Sequence, residues 1–278
     1  VPRIQTPDGV ELYVHEHGGH GPPVLLCHAT GFHGDVWDPL AGELGDGLTR
    51  WAIDFRGHGH SRTPASVELS DWEGMGRDVL CTLDALGLAD GSVVGVGHSM
   101  GGAALFLAEQ ARPGLLRGIW AFEPIVPPPS LLDGRPNPLV EGARRRRACF
   151  GSHAEALEHF AGKPPFGRLR ADALHAYVRH GFVPGEDGQV HLACRPADEA
   201  SVYEGGGRHR AFERLGEVTC PAVVAIGDDE GPGPAMFAAD IAAALPHGRL
   251  ERIPHVGHFA PLEAPSAVAA SIRAFTLG

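Results

Sequence analysis

Lysine is nearly absent from this chain: Lys163 is the single one among 278 residues, and arginine carries the rest of the positive charge. Positive charge is also in deficit overall, with 34 acids against 23 basic residues and a formal net charge of −11. A surface of that sign argues against nucleic acid as a partner. The one basic run, Arg144–Arg147, reads as a solvated helix face. No apolar run approaches the ~18 residues that a membrane span needs. The first residues lack the basic-then-apolar pattern of a secretory signal. Cysteine is sparse, with Cys27, Cys81, Cys149, Cys194 and Cys220 widely spaced and no C-x-x-C. That excludes a disulfide framework and suits reduced thiols in a cytoplasmic protein. Histidine is plentiful, and His15/His17 and His58/His60 form H-x-H pairs, but no third ligand stands at a metal-binding spacing. No metal is expected.

What is present is an alternation. After a short hairpin at Asp8-Gly9 come apolar strand-like runs at 22–29, 48–55, 91–98 and 116–126. Helical patterns at 35–44, 70–88 and 100–111 separate them. The rhythm breaks at a proline-rich exit and resumes at 221–227, with further helices near 234–246 and 266–277 around a strand at 248–254. Strands alternating with helices predict an α/β fold with a mainly parallel sheet covered on both faces. Residues 1–127 and 216–278 are expected to form this core. Residues 128–215 show short helical patterns and no convincing strand, so a helical cap is expected there.

The most specific feature is Gly97-His98-Ser99-Met100-Gly101, a G-x-S-x-G between a strand and a helix. In that setting the turn is sharp enough to strain the serine backbone and lift its Oγ above the sheet. A serine hydroxyl needs a base to take its proton. His258, on a loop after the last strand and freed by Gly257, is the expected base, with His255 its local rival. An oxyanion needs two backbone donors. One is the N–H of Met100, after the nucleophile; the other is that of Thr30, on the loop after the strand at 22–29.

These parts resemble the α/β-hydrolase fold superfamily along nearly the whole chain. "CHATGFHGDVW" stands for its H-G loop, with Ala29 in place of the usual glycine. "DFRGHGHS" matches its D-x-R-G-x-G-x-S turn, in which Asp54 and Arg56 are read as structural braces. "GHSMGG" matches its nucleophile elbow. The resemblance implies an eight-stranded, mainly parallel sheet with the cap inserted after the sixth strand. It also implies the order serine, acid, histidine.

The acid that orients His258 has four candidates. In the family it commonly stands three residues past a strand-terminal glycine, with proline four residues further on. Counting from Gly227, that spacing favours Glu230, in the stretch "AIGDDEGPGP". Asp229 and Asp228 are alternatives within the same turn. Glu123, at the end of the sixth strand, is a separate alternative, since some members take the acid from there. Phe32, His33 and Trp37 are expected to line the substrate pocket.

The activity implied is that of a serine hydrolase acting on a small ester, lactone or related acyl substrate, through an acyl-enzyme and without a cofactor. The alternatives are a non-hydrolytic enzyme of this fold (a lyase, cofactor-free oxygenase or cyclase) and a ligand receptor that has kept the pocket.

Overall fold

A strand buried on both faces reads as continuous apolar sequence, and these runs form the middle of one sheet. The computed structural model describes residues 3–131, 137–228 and 233–278. In chain order the elements are β1 (Arg3–Gln5), β2 (Glu11–Glu16), β3 (Pro23–Cys27), α1 (Asp38–Leu44), β4 (Thr49–Asp54), α2 (Trp72–Leu86), β5 (Val94–His98), α3 (Met100–Ala111) and β6 (Gly118–Phe122). There follow α4 (Pro138–Arg144), β7 (Cys149–Phe150), α5 (His153–Ala161), α6 (Ala171–His180), β8 (Phe182–Pro184), β9 (Val190–Leu192) and α7 (Pro196–Gly205). The chain closes with β10 (Ala222–Ile226), α8 (Ala238–Ala244), β11 (Gly248–Arg252), α9 (Ala260–Glu263) and α10 (Pro265–Leu277).

The main sheet has eight strands in the order β1-β2-β4-β3-β5-β6-β10-β11. β1 pairs antiparallel with β2, and β2 antiparallel with β4; every later pairing is parallel. Side chains of a strand alternate between faces. In β3, Leu25 and Cys27 enter a core shared with α2, α3 and α8, while Val24 and Leu26 enter one shared with α1 and α10. This is the mainly parallel α/β sheet expected from the alternating sequence, with the eight strands and the insert after the sixth that the resemblance to the α/β-hydrolase fold implies. The parallel arrangement carries the C-terminal ends of β3, β5, β6, β10 and β11 to one edge, where the loops that follow them meet.

Between β6 and β10 lies the insert. It is not purely helical as expected: β7, β9 and β8 form a three-stranded antiparallel sheet beside its helices. Strands of two and three residues are too short for a period-2 pattern to stand out from a helical one. Phe150, Phe160, Tyr177 and Phe182 are buried, and they join the core on the α1/α10 face of the main sheet. The insert therefore packs onto the sheet through apolar contact. Among the described residues no helix is long and apolar enough to cross a membrane.

Candidate active site

The turn from β5 into α3 holds Ser99 at φ 55° and ψ −114°, a conformation that a residue with a side chain rarely adopts. Glycines make the turn geometrically feasible. A β-carbon on Gly97 would lie 2.5 Å from the Gly102 nitrogen, and one on Gly101 would lie 2.1 Å from the Cys27 carbonyl oxygen. Ser99 is 7% exposed and starts a twelve-residue helix, whose Gly102 and Ala103 N–H groups donate to the Ser99 carbonyl at 3.1 and 3.2 Å.

The loop after β3 is held by two buried histidines. His28 donates from Nδ1–H to the Ala29 carbonyl (2.8 Å) and accepts the Phe55 N–H at Nε2 (3.2 Å). His58 donates from Nδ1–H to the Arg56 carbonyl (2.9 Å) and accepts the Gly31 N–H at Nε2 (3.0 Å). Each ring thus uses one donor and one acceptor, which only the neutral form offers. Burial favours the same form and lowers both pKa values. Among the described residues, neither the Thr30 N–H nor the Met100 N–H donates to a carbonyl of the fold.

Below this loop, Asp54 accepts the Gly34 N–H (2.6 Å) and the His60 N–H (2.7 Å). Arg56 forks onto Asp78 at 2.9 and 2.6 Å and reaches Asp8 at 2.8 Å. Both side chains brace loops, in line with the structural role read from the sequence.

His258 lies past β11, on a loop tied back to the core at several points. The Gly257 N–H donates to Glu263 Oε2 at 3.0 Å. His98 donates from Nε2–H to the His258 carbonyl at 2.8 Å, so the elbow itself holds the histidine loop. The Phe259 ring packs edge-on to both His258 and His98. His255, the local rival, sits at φ 63° with its N–H on Asp228 Oδ1 (2.6 Å). Asp228 Oδ1 also accepts the Val256 N–H (3.3 Å), so this carboxylate braces the turn rather than the His258 ring.

The His258 ring finds a carboxylate from the separate alternative, Glu123 at the end of β6. His258 Nδ1 is 2.7 Å from Glu123 Oε2. Glu123 follows β6 at φ 42°; its N–H donates to the Ala225 carbonyl (2.8 Å), and its Oε1 accepts the Gly227 N–H (3.1 Å). Spacing favours an acid after β10, whereas Glu123 reaches the ring from the end of the neighbouring strand β6. Glu230 and Asp229 lie outside the described residues.

Of the expected pocket residues, Phe32 faces the insert and packs against Phe166, Tyr177 and Phe259. His33 donates from Nε2–H to the Tyr177 carbonyl (3.2 Å) and so fixes α6 to the core. Trp37 differs from expectation. It is 1% exposed and belongs to the apolar core that also holds Leu40 and Trp120.

A family model described as "Alpha/beta hydrolase family" matches residues 24–271. The chain belongs to this family. Similar proteins within it include the 2-(acetamidomethylene)succinate hydrolase of Mesorhizobium japonicum, 27% identical over 270 residues that span 96% of this chain and 91% of that one. The (E)-2-((N-methylformamido)methylene)succinate hydrolase of Acinetobacter baylyi is 23% identical, spanning 92% and 91%. A solved structure of E-2-(acetamidomethylene)succinate hydrolase superposes with a TM-score of 0.80 at 22% identity, covering 100% of this chain and 98% of that one. The family relationship supports hydrolase activity.

The alpha/beta hydrolase motifs do not point to several residues that converge here. Arg146, assigned from sequence to a solvated face, is instead drawn inward to Glu199 (Nη1 to Oε2, 2.7 Å) and to the Tyr177 hydroxyl. Its neighbours Arg144 and Arg147 do pair with surface acids, Glu141 and Glu155. Nothing in a run of four arginines distinguishes the one drawn inward. His28, His58 and His98 were within quoted motifs, but their roles depend on contacts distant in sequence. Two groups of side chains outside the site bring three metal-ligating atoms within 4.8 Å, Cys149/Asp187/His191 and Asp35/Asp38/His180. Ion pairs of His191 with Asp187 (3.0 Å) and of His180 with Asp35 (3.2 Å) account for their proximity.

Proposed function

We propose that the protein is a serine hydrolase of small acyl compounds (esters, lactones or related substrates) with Ser99, His258 and Glu123 as its triad. The observation that carries this reading is the Glu123–His258 contact of 2.7 Å, at the same sheet edge as a serine held at φ 55°. A carboxylate on Nδ1 leaves Nε2 of the neutral ring as the free base. Ser99 Oγ attacks the acyl carbonyl while His258 Nε2 takes its proton. Glu123 then faces the imidazolium Nδ1–H and stabilises its charge. The N–H groups of Thr30 and Met100 receive the oxyanion. His258 returns the proton to the leaving group, and a water activated by the same ring releases the acid product. This sequence calls for no cofactor.

The insert acts as a cap over this edge, carrying Phe160, Phe166 and Tyr177 toward Phe32. All five cysteines are free, which suits a reducing, cytoplasmic setting. A fluorophosphonate probe tests the central claim. Stoichiometric labelling at Ser99, lost in His258→Ala, is the expected outcome. Absence of labelling in folded protein would overturn the reading.

A further inference from the structure

The roof above the oxyanion loop contains a cation. Arg146 lies with its Cζ 5.4, 5.5 and 5.8 Å from the ring centroids of Phe160, Phe166 and Tyr177. Two of those rings, Phe166 and Tyr177, also pack on Phe32, which in turn touches Phe259 beside His258. The guanidinium approaches the loop closely. A β-carbon on Gly31 would lie 3.3 Å from Arg146 Nη1 and 2.6 Å from Glu199 Oε1. Gly31 immediately follows Thr30, so the ion pair sits one residue from the proposed oxyanion donor.

A buried ion pair gives little net stability compared with apolar packing, so its placement here calls for a use. The hydrogen bonding suggests one. Arg146 Nη2 donates to the Tyr177 oxygen. A guanidinium has no acceptor, so the Tyr177 O–H proton is left to donate elsewhere. Among the described residues it has no acceptor. Burial raises the Tyr177 pKa to about 12, which keeps that proton in place at neutral pH. The N–H groups of Arg146 exceed the two contacts it makes to Glu199 and Tyr177. A guanidinium and a phenol that can both still donate, on an apolar wall, are complementary to a carboxylate.

We propose that Arg146 and Tyr177 bind a carboxylate on the substrate, separate from the acyl group that Ser99 attacks. The substrate class is then a monoanionic ester, lactone or amide of a short dicarboxylic acid, rather than a neutral lipid ester. This rests on the serine-hydrolase reading only for where the reacting carbonyl lies. Glu199 sets the strength of the site: its carboxylate neutralises Arg146, so an incoming anion competes with it.

The test measures binding without turnover. Ser99→Ala protein is titrated by calorimetry with the dicarboxylates from malonate through adipate, and with their neutral diamides. At least one diacid is expected to bind more tightly than its diamide. Arg146→Ala in the same background should weaken that diacid by about tenfold or more, the effect of losing a charge-assisted hydrogen bond. Arg146→Lys should retain part of the binding. Tyr177→Phe, which removes one oxygen and keeps the ring, should weaken it several-fold. Glu199→Gln should tighten it, the opposite of what a merely structural ion pair predicts. Two outcomes overturn the proposal: no diacid exceeds its diamide, or Tyr177→Phe and Glu199→Gln both leave binding unchanged in folded protein. Diacid binding without fluorophosphonate labelling of the Ser99 protein would instead remove the hydrolase reading and leave the carboxylate subsite standing.

Discussion

Glu123 Oε2 and His258 Nδ1 lie 2.7 Å apart, joining the end of β6 to the loop after β11. The other oxygen of Glu123 accepts the Gly227 N–H at the end of β10, so this one side chain links three loops of the sheet edge.

Replacing Glu123 by Gln is therefore expected to lower kcat by about 10⁴-fold, because an amide fits the same space but does not stabilise the imidazolium or hold its tautomer. Glu230→Gln should leave kcat within a few-fold of wild type. Steady-state kinetics on the same ester decides. A larger loss from Glu230→Gln would move the acid to the loop after β10.

The backbone of Ser99 at φ 55° predicts a trade between stability and activity. Ser99→Gly should be more stable than Ser99→Ala by about 1 kcal/mol, since glycine accepts that conformation without a Cβ penalty. Both variants lose the nucleophile. Urea unfolding of the two proteins side by side measures the difference, and equal midpoints would mean that the turn stores no strain.

Gly101 faces the backbone of β3, and its β-carbon would lie 2.1 Å from the Cys27 carbonyl oxygen. Backbone on both sides leaves no flexible side chain to give way. Gly101→Ala should separate α3 from β3 or prevent folding, costing more than the ~1–3 kcal/mol typical of overpacking. Gly42→Ala in α1, where no atom lies within 4 Å of the added β-carbon and the backbone is helical, serves as the comparison and should cost much less. Thermal melts of the two variants check this.

Stability should vary with pH in opposite senses on the two sides of pH 6.5. Burial lowers the pKa of His28, His33, His58 and His98, and that of His209 to about 4. Below pH 6.5 the unfolded chain takes up protons that these folded rings refuse. Stability is thus lost as pH falls from 6.5 toward their folded values. His15 behaves inversely. Burial acts to lower its pKa, but Asp35 and Asp54, each 3.0 Å from a ring nitrogen, outweigh it and raise the value to about 10. Its contribution is complete below pH 6.5 and is lost as pH rises from 6.5 to about 10. Melting temperature against pH should fall on both sides. In His15→Gln the alkaline decline should shrink while the acid one remains. An unchanged alkaline limb would contradict this assignment.

Local sequence determined the frame of the molecule. A buried parallel strand must be apolar throughout, and a sharp strand-to-helix turn must carry glycines. The eight-stranded sheet, the elbow at Ser99 and the loop bearing His258 therefore stand out in order along the chain. These features depend on neighbours a few residues apart, where spacing is a direct physical constraint. The small sheet of the insert was hidden because strands of two or three residues show no period.

Tertiary structure alone decided which of these side chains meet. Glu123 and the acids after β10 all carry a carboxylate and all follow a strand of the sheet. What separates Glu123 from Asp228 is the partner each meets in space: Glu123 reaches the His258 ring, whereas Asp228 accepts the His255 and Val256 N–H groups. Arg146 stands in a run of four arginines, and only the packing of the insert turns that one inward over Gly31. A side chain's partner across more than a hundred residues is set by where the backbone places it in space. Residue type and spacing report the chemistry a group can perform, and the packed fold selects the partners it meets.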